Sequence, residues 1–161
     1  MLARLYLAAA WLFAVLIPVQ FYFAAAGSFS NLGFSPHMWL GLGLHGLSVV
    51  LIVIALVGRL PRRAIEWGVL QFILISAQVG LARLQFPGST ISAEPQFVRD
   101  MVSSIMVPIH NAFGNGSGII ASLHGIVALG IAAGAVLTIR YARQLPQLAA
   151  EGALHTSPVE R

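Results

Sequence analysis

The expected fold is all-α and membrane-integral: a four-transmembrane-helix bundle built from two pseudo-repeated helical hairpins, plus a short outer interfacial helix. Three observations lead there. The composition is too apolar for water, four apolar runs have membrane-spanning length, and one short motif recurs in the second and fourth runs. Of 161 residues, 58% are apolar and 9% charged, and the mean hydropathy is +0.85. Soluble domains carry about a quarter charged residues, so lipid must solvate most of this chain. Cysteine is absent, which excludes disulfides, thiolate metal sites and cysteine nucleophiles.

A helix rises 1.5 Å per residue, so about 20 apolar residues cross about 30 Å of hydrocarbon. Four runs qualify, at 5–26, 38–57, 65–86 and 118–141. The first begins after Arg4 and ends in the small residues Ala24 to Gly27, a pattern shared with secretory signal peptides. It is longer than their usual apolar region and contains Gln20, so a retained helix is expected. Between the second and third runs lies a basic turn at 58–63 with Arg59, Arg62 and Arg63. The fourth run ends at Arg140 and Arg143. With Arg4 these six arginines fall on one side, while Glu94, Arg99 and Asp100 fall on the other. The positive-inside rule then places both termini in the cytoplasm, in a bacterial inner membrane. The net charge of +4 is explained by topology, and no nucleic-acid partner is expected.

The insertion at 87–117 is long for a simple connection. Within it Phe97, Val98, Met101, Val102, Ile105 and Met106 share one helical face, and Arg99, Asp100, Ser103 and Ser104 the other. Pro95 suits a helix start and Pro108 a stop, so an interfacial helix is expected between them. Residues 111–118, with three glycines, read as a flexible lead-in to the fourth span. The transmembrane domain thus covers 1–143. A polar cytoplasmic tail, 144–161, lacks periodicity and is expected to be loosely ordered.

The second span contains Leu44-His45-Gly46-Leu47 and the fourth Leu123-His124-Gly125-Ile126, each followed by apolar helix, arginine and Leu-Pro. Trp11 and Gln20 on the first span correspond loosely to Trp67 and Gln78 on the third. The pattern implies two hairpins related by a pseudo-two-fold axis along the membrane normal. Counted from the outer ends, His45, His124, Gln20 and Gln78 all fall at one level, the histidines roughly 9–12 Å deep. Polar groups at that depth should face the bundle interior. Small residues flank them: Gly41, Ser48 and Ala55 on the second helix, and Ala121, Ala128 and Ala135 on the fourth. Gln71, Gln78 and Gln85 share a face of the third.

Two inward histidines on different helices suit bis-imidazole ligation of haem b, with His45 and His124 on the iron. Gly46 and Gly125 would spare the porphyrin edge a clash. Gln20 or Gln78 would hydrogen-bond an imidazole or a propionate, and Arg83 or Arg99 would face the propionates unless Arg83 snorkels. Other readings stand beside this one. The histidines could bond to each other or to the glutamines, hold a bare zinc or copper short of ligands, or ligate a chlorin singly. His37 and His110 form a weaker second pair near the outer surface. An interfacial role is the plainer reading of them, and a second haem, a metal or a quinone contact the functional one.

Val19-Gln20-Phe21 through Gly27, the His45 segment and the Leu123-His124 segment together resemble a family of small bacterial four-helix membrane proteins. The resemblance spans about 5–143 and implies no activity. The arrangement is also similar in kind to transmembrane b-type cytochromes, which commonly place histidine pairs at two depths. Here the cytoplasmic halves of the spans hold none, so a two-haem wire is not expected. The functional expectation is a small b-type cytochrome, or cytochrome-like subunit, with one haem near the outer face. Without a Rossmann or P-loop fingerprint, electrons would come from a quinol or a protein such as a periplasmic redox partner. The alternative is a non-catalytic accessory subunit of a larger respiratory or photosynthetic complex, with structural or pigment-binding histidines. Either is an electron-transfer or accessory role rather than a stand-alone enzyme. A proton relay is weaker, because the inner halves offer little beyond Gln71 and Glu66, and Glu66 sits where a helix N-terminus favours a carboxylate.

Overall fold

A computed structural model describes residues 1–30, 33–85, 96–112 and 117–155. They form five helices: α1 (Leu2–Phe29), α2 (Ser35–Val57), α3 (Arg62–Gln85), α4 (Gln96–Ala112) and α5 (Ser117–His155). No strand occurs among the described residues. Four helices are long and apolar enough to cross a membrane, over Leu2–Phe29, Ser35–Val57, Arg62–Leu84 and Gly118–Gln147. This is an all-α, multi-pass membrane protein. The chain divides into two units, residues 1–73 with 131–161, and residues 74–130.

The first unit is organised by a repeat of four and three residues. Its buried positions run Tyr6, Ala10, Phe13 and Ile17 on α1, and Leu44, Ser48, Leu51 and Ala55 on α2. On α5 they run Ile131, Ala135, Thr138, Ala142 and Leu145. That alternation keeps one seam of each helix facing its neighbours, as in coiled-coil-like bundles. Without a hydrophobic drive between helices in lipid, close packing and hydrogen bonds hold the seams together. Both are present. A Cβ on Gly68 of α3 would lie 2.9 Å from the Ile52 side chain and 3.3 Å from its backbone nitrogen, so glycine lets α2 and α3 touch. The buried Tyr6 hydroxyl donates to the Ala64 carbonyl at 2.8 Å, tying α1 to the start of α3.

The turn after α2 closes with two backbone bonds, Leu60 N–H to the Ala55 carbonyl (2.9 Å) and Arg59 N–H to the Leu56 carbonyl (3.1 Å). This is a Schellman motif, which needs a left-handed residue and usually takes glycine there. Here Arg59 fills it, at φ 48°. The basic turn read from the sequence is therefore a tight C-cap.

Three expectations change. Helix α5 continues through Pro146 to His155, so residues 144–155 are helical and only 156–161 of the expected tail lie outside the described residues. The cause is visible in Leu145, which is buried and extends the α5 seam by one more step. Helix α4 passes through Pro108 and ends at Ala112. A proline removes one backbone donor and strains the turn before it, which here does not end the helix. The buried seam of α2 runs through Leu44 and Ser48, leaving His45 half-buried beside it.

In the second unit Ile75 and Ile120 are the buried apolar side chains among the described residues. Phe97, Met101 and Ile105 form an exposed stripe on α4, as an interfacial helix requires. Its polar face carries Gln96, which donates to Asp100 at 2.8 Å and accepts from Arg99. Pro95, Glu94 and the rest of 86–95, like 113–116 of the expected lead-in, lie outside the described residues.

Candidate functional site

His45 sits in the third turn of α2. Its ring stacks on Phe72 of α3, centroids 4.6 Å apart and 28° from parallel. The Ser48 hydroxyl donates to the His45 carbonyl at 2.6 Å, as a helix-internal serine commonly does to a carbonyl one turn back. Stacking uses the face of an imidazole, whereas hydrogen bonding and metal ligation use nitrogens in the ring plane. The contact with Phe72 is thus compatible with ligation and also gives His45 a packing role. Sequence reasoning missed Phe72, since one phenylalanine in an apolar run carries no sign of which ring it meets.

Gln20 is not at the level expected for it. Its side-chain amide donates to the His37 carbonyl at 2.9 Å, and His37 Nδ1 lies 3.1 Å from the Gln20 carbonyl. A Cβ on Gly41 would lie 3.1 Å from the same amide nitrogen. Gln20 therefore meets the first turns of α2, while His45 lies eight residues beyond His37, about 12 Å along the axis. Helix α1 runs nine residues past Gln20, to Phe29, whereas α2 begins only two residues before His37, so α1 outruns the start of α2 and counting from the helix ends misplaces Gln20. The His37–Gln20 pair clamps α1 to α2.

Within the second unit, His110 Nδ1 lies 2.6 Å from the Leu84 carbonyl. The last carbonyls of a helix have no partner within it, and His110 of α4 meets one near the end of α3. His124 and Gln78 are half-buried. The Gln78 Oε1 is buried without a hydrogen-bond partner among the described residues, as are Gln20 Oε1 and Gln71 Oε1. Gln71 is fully buried in the first unit, its amide 3.4 Å from the Ile131 carbonyl. A Cβ on Gly134 would reach to 2.5 Å from that amide, so glycine makes room for it. Arg83 is half-buried in the last turn of α3.

Gly46 and Gly125 answer differently from Gly68 and Gly134. A Cβ at either would meet nothing within 4 Å. Each histidine of the repeated motif is followed by open space, which the protein's own packing does not require. Among the described residues no three histidine or carboxylate side chains gather into a metal-binding group. A bare zinc site, which normally takes at least three protein ligands, has no such set there. Haem needs only two.

Residues 20–85 match a family of unknown function, DUF6220. The match starts at Gln20, takes in His37, His45 and Gln78, and stops before His124. It takes in two of the three segments on which the resemblance rests, Gln20 to Gly27 and the His45 segment. No curated protein and no solved structure matches the chain.

Proposed function

We propose that this chain is a small membrane b-type cytochrome, or a cytochrome-like subunit, in which His45 and His124 ligate one haem b. The carrying observation is that both half-buried histidines stand on membrane-spanning helices, each followed by an exposed glycine with no neighbour within 4 Å of its Cβ position. Their pairing rests on the repeat in the sequence. When held by both histidines, haem would supply a reversible one-electron change, which suits electron transfer rather than substrate binding. The chain's own residues would orient and insulate it. Phe72 fixes the plane of the His45 ring, and the buried Gln78 Oε1 is an acceptor able to receive an imidazole N–H and so set which nitrogen faces the iron. Arg83 is a counter-charge for a propionate. On this reading both termini lie in the cytoplasm of a bacterial inner membrane, a topology that the six arginines near the helix ends support, with the histidines toward the outer side. A quinol or a periplasmic redox protein would exchange electrons with the haem.

A second reading has an observation of its own. The stacking of His45 on Phe72 and the backbone contacts of His37 and His110 are structural uses of histidine that need no cofactor. On that reading the chain is an accessory subunit of a larger respiratory or photosynthetic complex. Single replacements separate the two. His45→Ala and His124→Ala should each abolish a Soret band while helicity and membrane insertion persist. Variants spectrally identical to the unmodified protein would reject haem ligation by these residues.

A further inference from the structure

The polar ends of α3 and α5 in the first unit carry a site that the haem reading does not use. Arg63, Glu66 and Trp67 occupy one face of the first turns of α3, at spacings of three and four. Arg140, Tyr141 and Gln144 do the same on α5. Together they line an open cleft of about 410 Å³, within the usual range for ligand pockets of about 300–1,000 Å³. It lies within two turns of the polar ends of the two apolar spans, Arg62–Leu84 and Gly118–Gln147, where lipid headgroups are expected.

Its charge is unbalanced. Glu66 is the one acid in the lining, and Arg62 holds it at 2.9 Å. Neither Arg63 nor Arg140 has an ion pair among the described residues, and both are exposed. The nearby Arg143 is turned elsewhere, 5.0 Å over the Trp11 ring. Two uncommitted guanidiniums can each give two parallel N–H bonds to the oxygens of a phosphate. Tyr141 and Gln144 add neutral donors, and Trp67 is the kind of amphipathic ring that settles at the membrane interface. The positive end of α3 adds a weak attraction of the same sign. The backbone beneath the lining is held in place, because Ala64 and Ala142, next in sequence to Arg63 and Tyr141, are buried and the Ala64 carbonyl accepts from Tyr6.

From this juxtaposition we infer that the cleft binds the phosphodiester headgroup of an anionic phospholipid such as phosphatidylglycerol, with Arg63 and Arg140 as the two phosphate ligands. The phosphate chemistry alone would equally accept a soluble phosphate. The lipid is favoured because acyl chains would follow the apolar flanks of α3 and α5, where Val69, Leu70, Val136 and Leu137 are exposed. Basic pockets at helix ends recognise anionic headgroups in this way.

Native mass spectrometry of the full-length protein, titrated with phosphatidylglycerol and with phosphatidylcholine, tests the inference. The unmodified protein should bind phosphatidylglycerol about tenfold more tightly. The double variant R63Q/R140Q should lose that preference, whereas R4Q/R59Q, with the same loss of charge, should keep it. Excess inorganic phosphate should leave the bound lipid in place. Equal binding of the two lipids by the unmodified protein overturns the proposal whatever the variants do. So does equal loss in both double variants, which would reduce the preference to net charge. Displacement of the lipid by inorganic phosphate would transfer the cleft to a soluble anion. Haem content does not enter this measurement, so its outcome is independent of the cytochrome reading.

Discussion

In the unit made of residues 1–73 and 131–161, seams from four helices close over Tyr6, Phe13, Leu51, Gln71 and Thr138. In residues 74–130, only Ile75 and Ile120 are buried apolar side chains among those described. The glycines repeat the contrast. Gly68 and Gly134 of the first unit are held against neighbouring side chains, whereas Gly80, Gly118 and Gly125 of the second face nothing within 4 Å. Polar groups do not repeat it: Tyr6, Ser48 and Thr138 bond to carbonyls inside the first unit, and His110, Ser104 and Ser122 do so inside the second. One unit carries the architecture. The other carries His124, Gln78 and an amphipathic helix with few buried apolar side chains among the described residues. His45 and Gly46 lie at the open end of that range although they belong to the first unit, since Gly46 also faces open space.

The largest test of this contrast is deletion of a core ring. Phe13→Ala should cost about 3–5 kcal/mol of stability, and Ile120→Ala only about 2 kcal/mol, where the surroundings can relax. Denaturant-induced unfolding in mixed micelles reads both, and equal losses would erase the distinction between the units. Next come the packed glycines. Gly68→Ala forces α2 and α3 apart, and Gly134→Ala pushes the Gln71 amide off the Ile131 carbonyl, so each should cost about 1–3 kcal/mol. The smallest effect is expected at the motif glycines. Gly46→Ala and Gly125→Ala should leave the apo-protein unchanged or stabilise it by up to about 1 kcal/mol, because alanine is the better helix former and meets no neighbour. Under the proposed function the same two variants should retain less haem. A destabilised apo-protein would show that these glycines serve packing instead.

Much of this was legible in the residues themselves. The four spans follow from composition and run length, and α4 from its two-faced pattern. The level of Gln20 was not, because it depends on how far α1 extends past the start of α2. Alanines 24 to 26 read as a boundary, yet they are strong helix formers and carry the helix on to Phe29. The helical tail leaves a trace in the sequence, since Leu145 continues the spacing of Ile131, Ala135, Thr138 and Ala142, but Pro146 and the polar residues around it mask that spacing. The partner of His45 could not be read at all. Facing rings on two helices are set by the rotation of both, and Gly68 against Ile52 fixes that rotation through space rather than along the chain.

The central claim is that the two motif histidines hold a haem. A dithionite-reduced minus air-oxidised absorbance spectrum of the detergent-purified protein tests it most directly. The account predicts sharp α and Soret bands of low-spin b-type haem. A preparation that stays colourless after haem is added would contradict it.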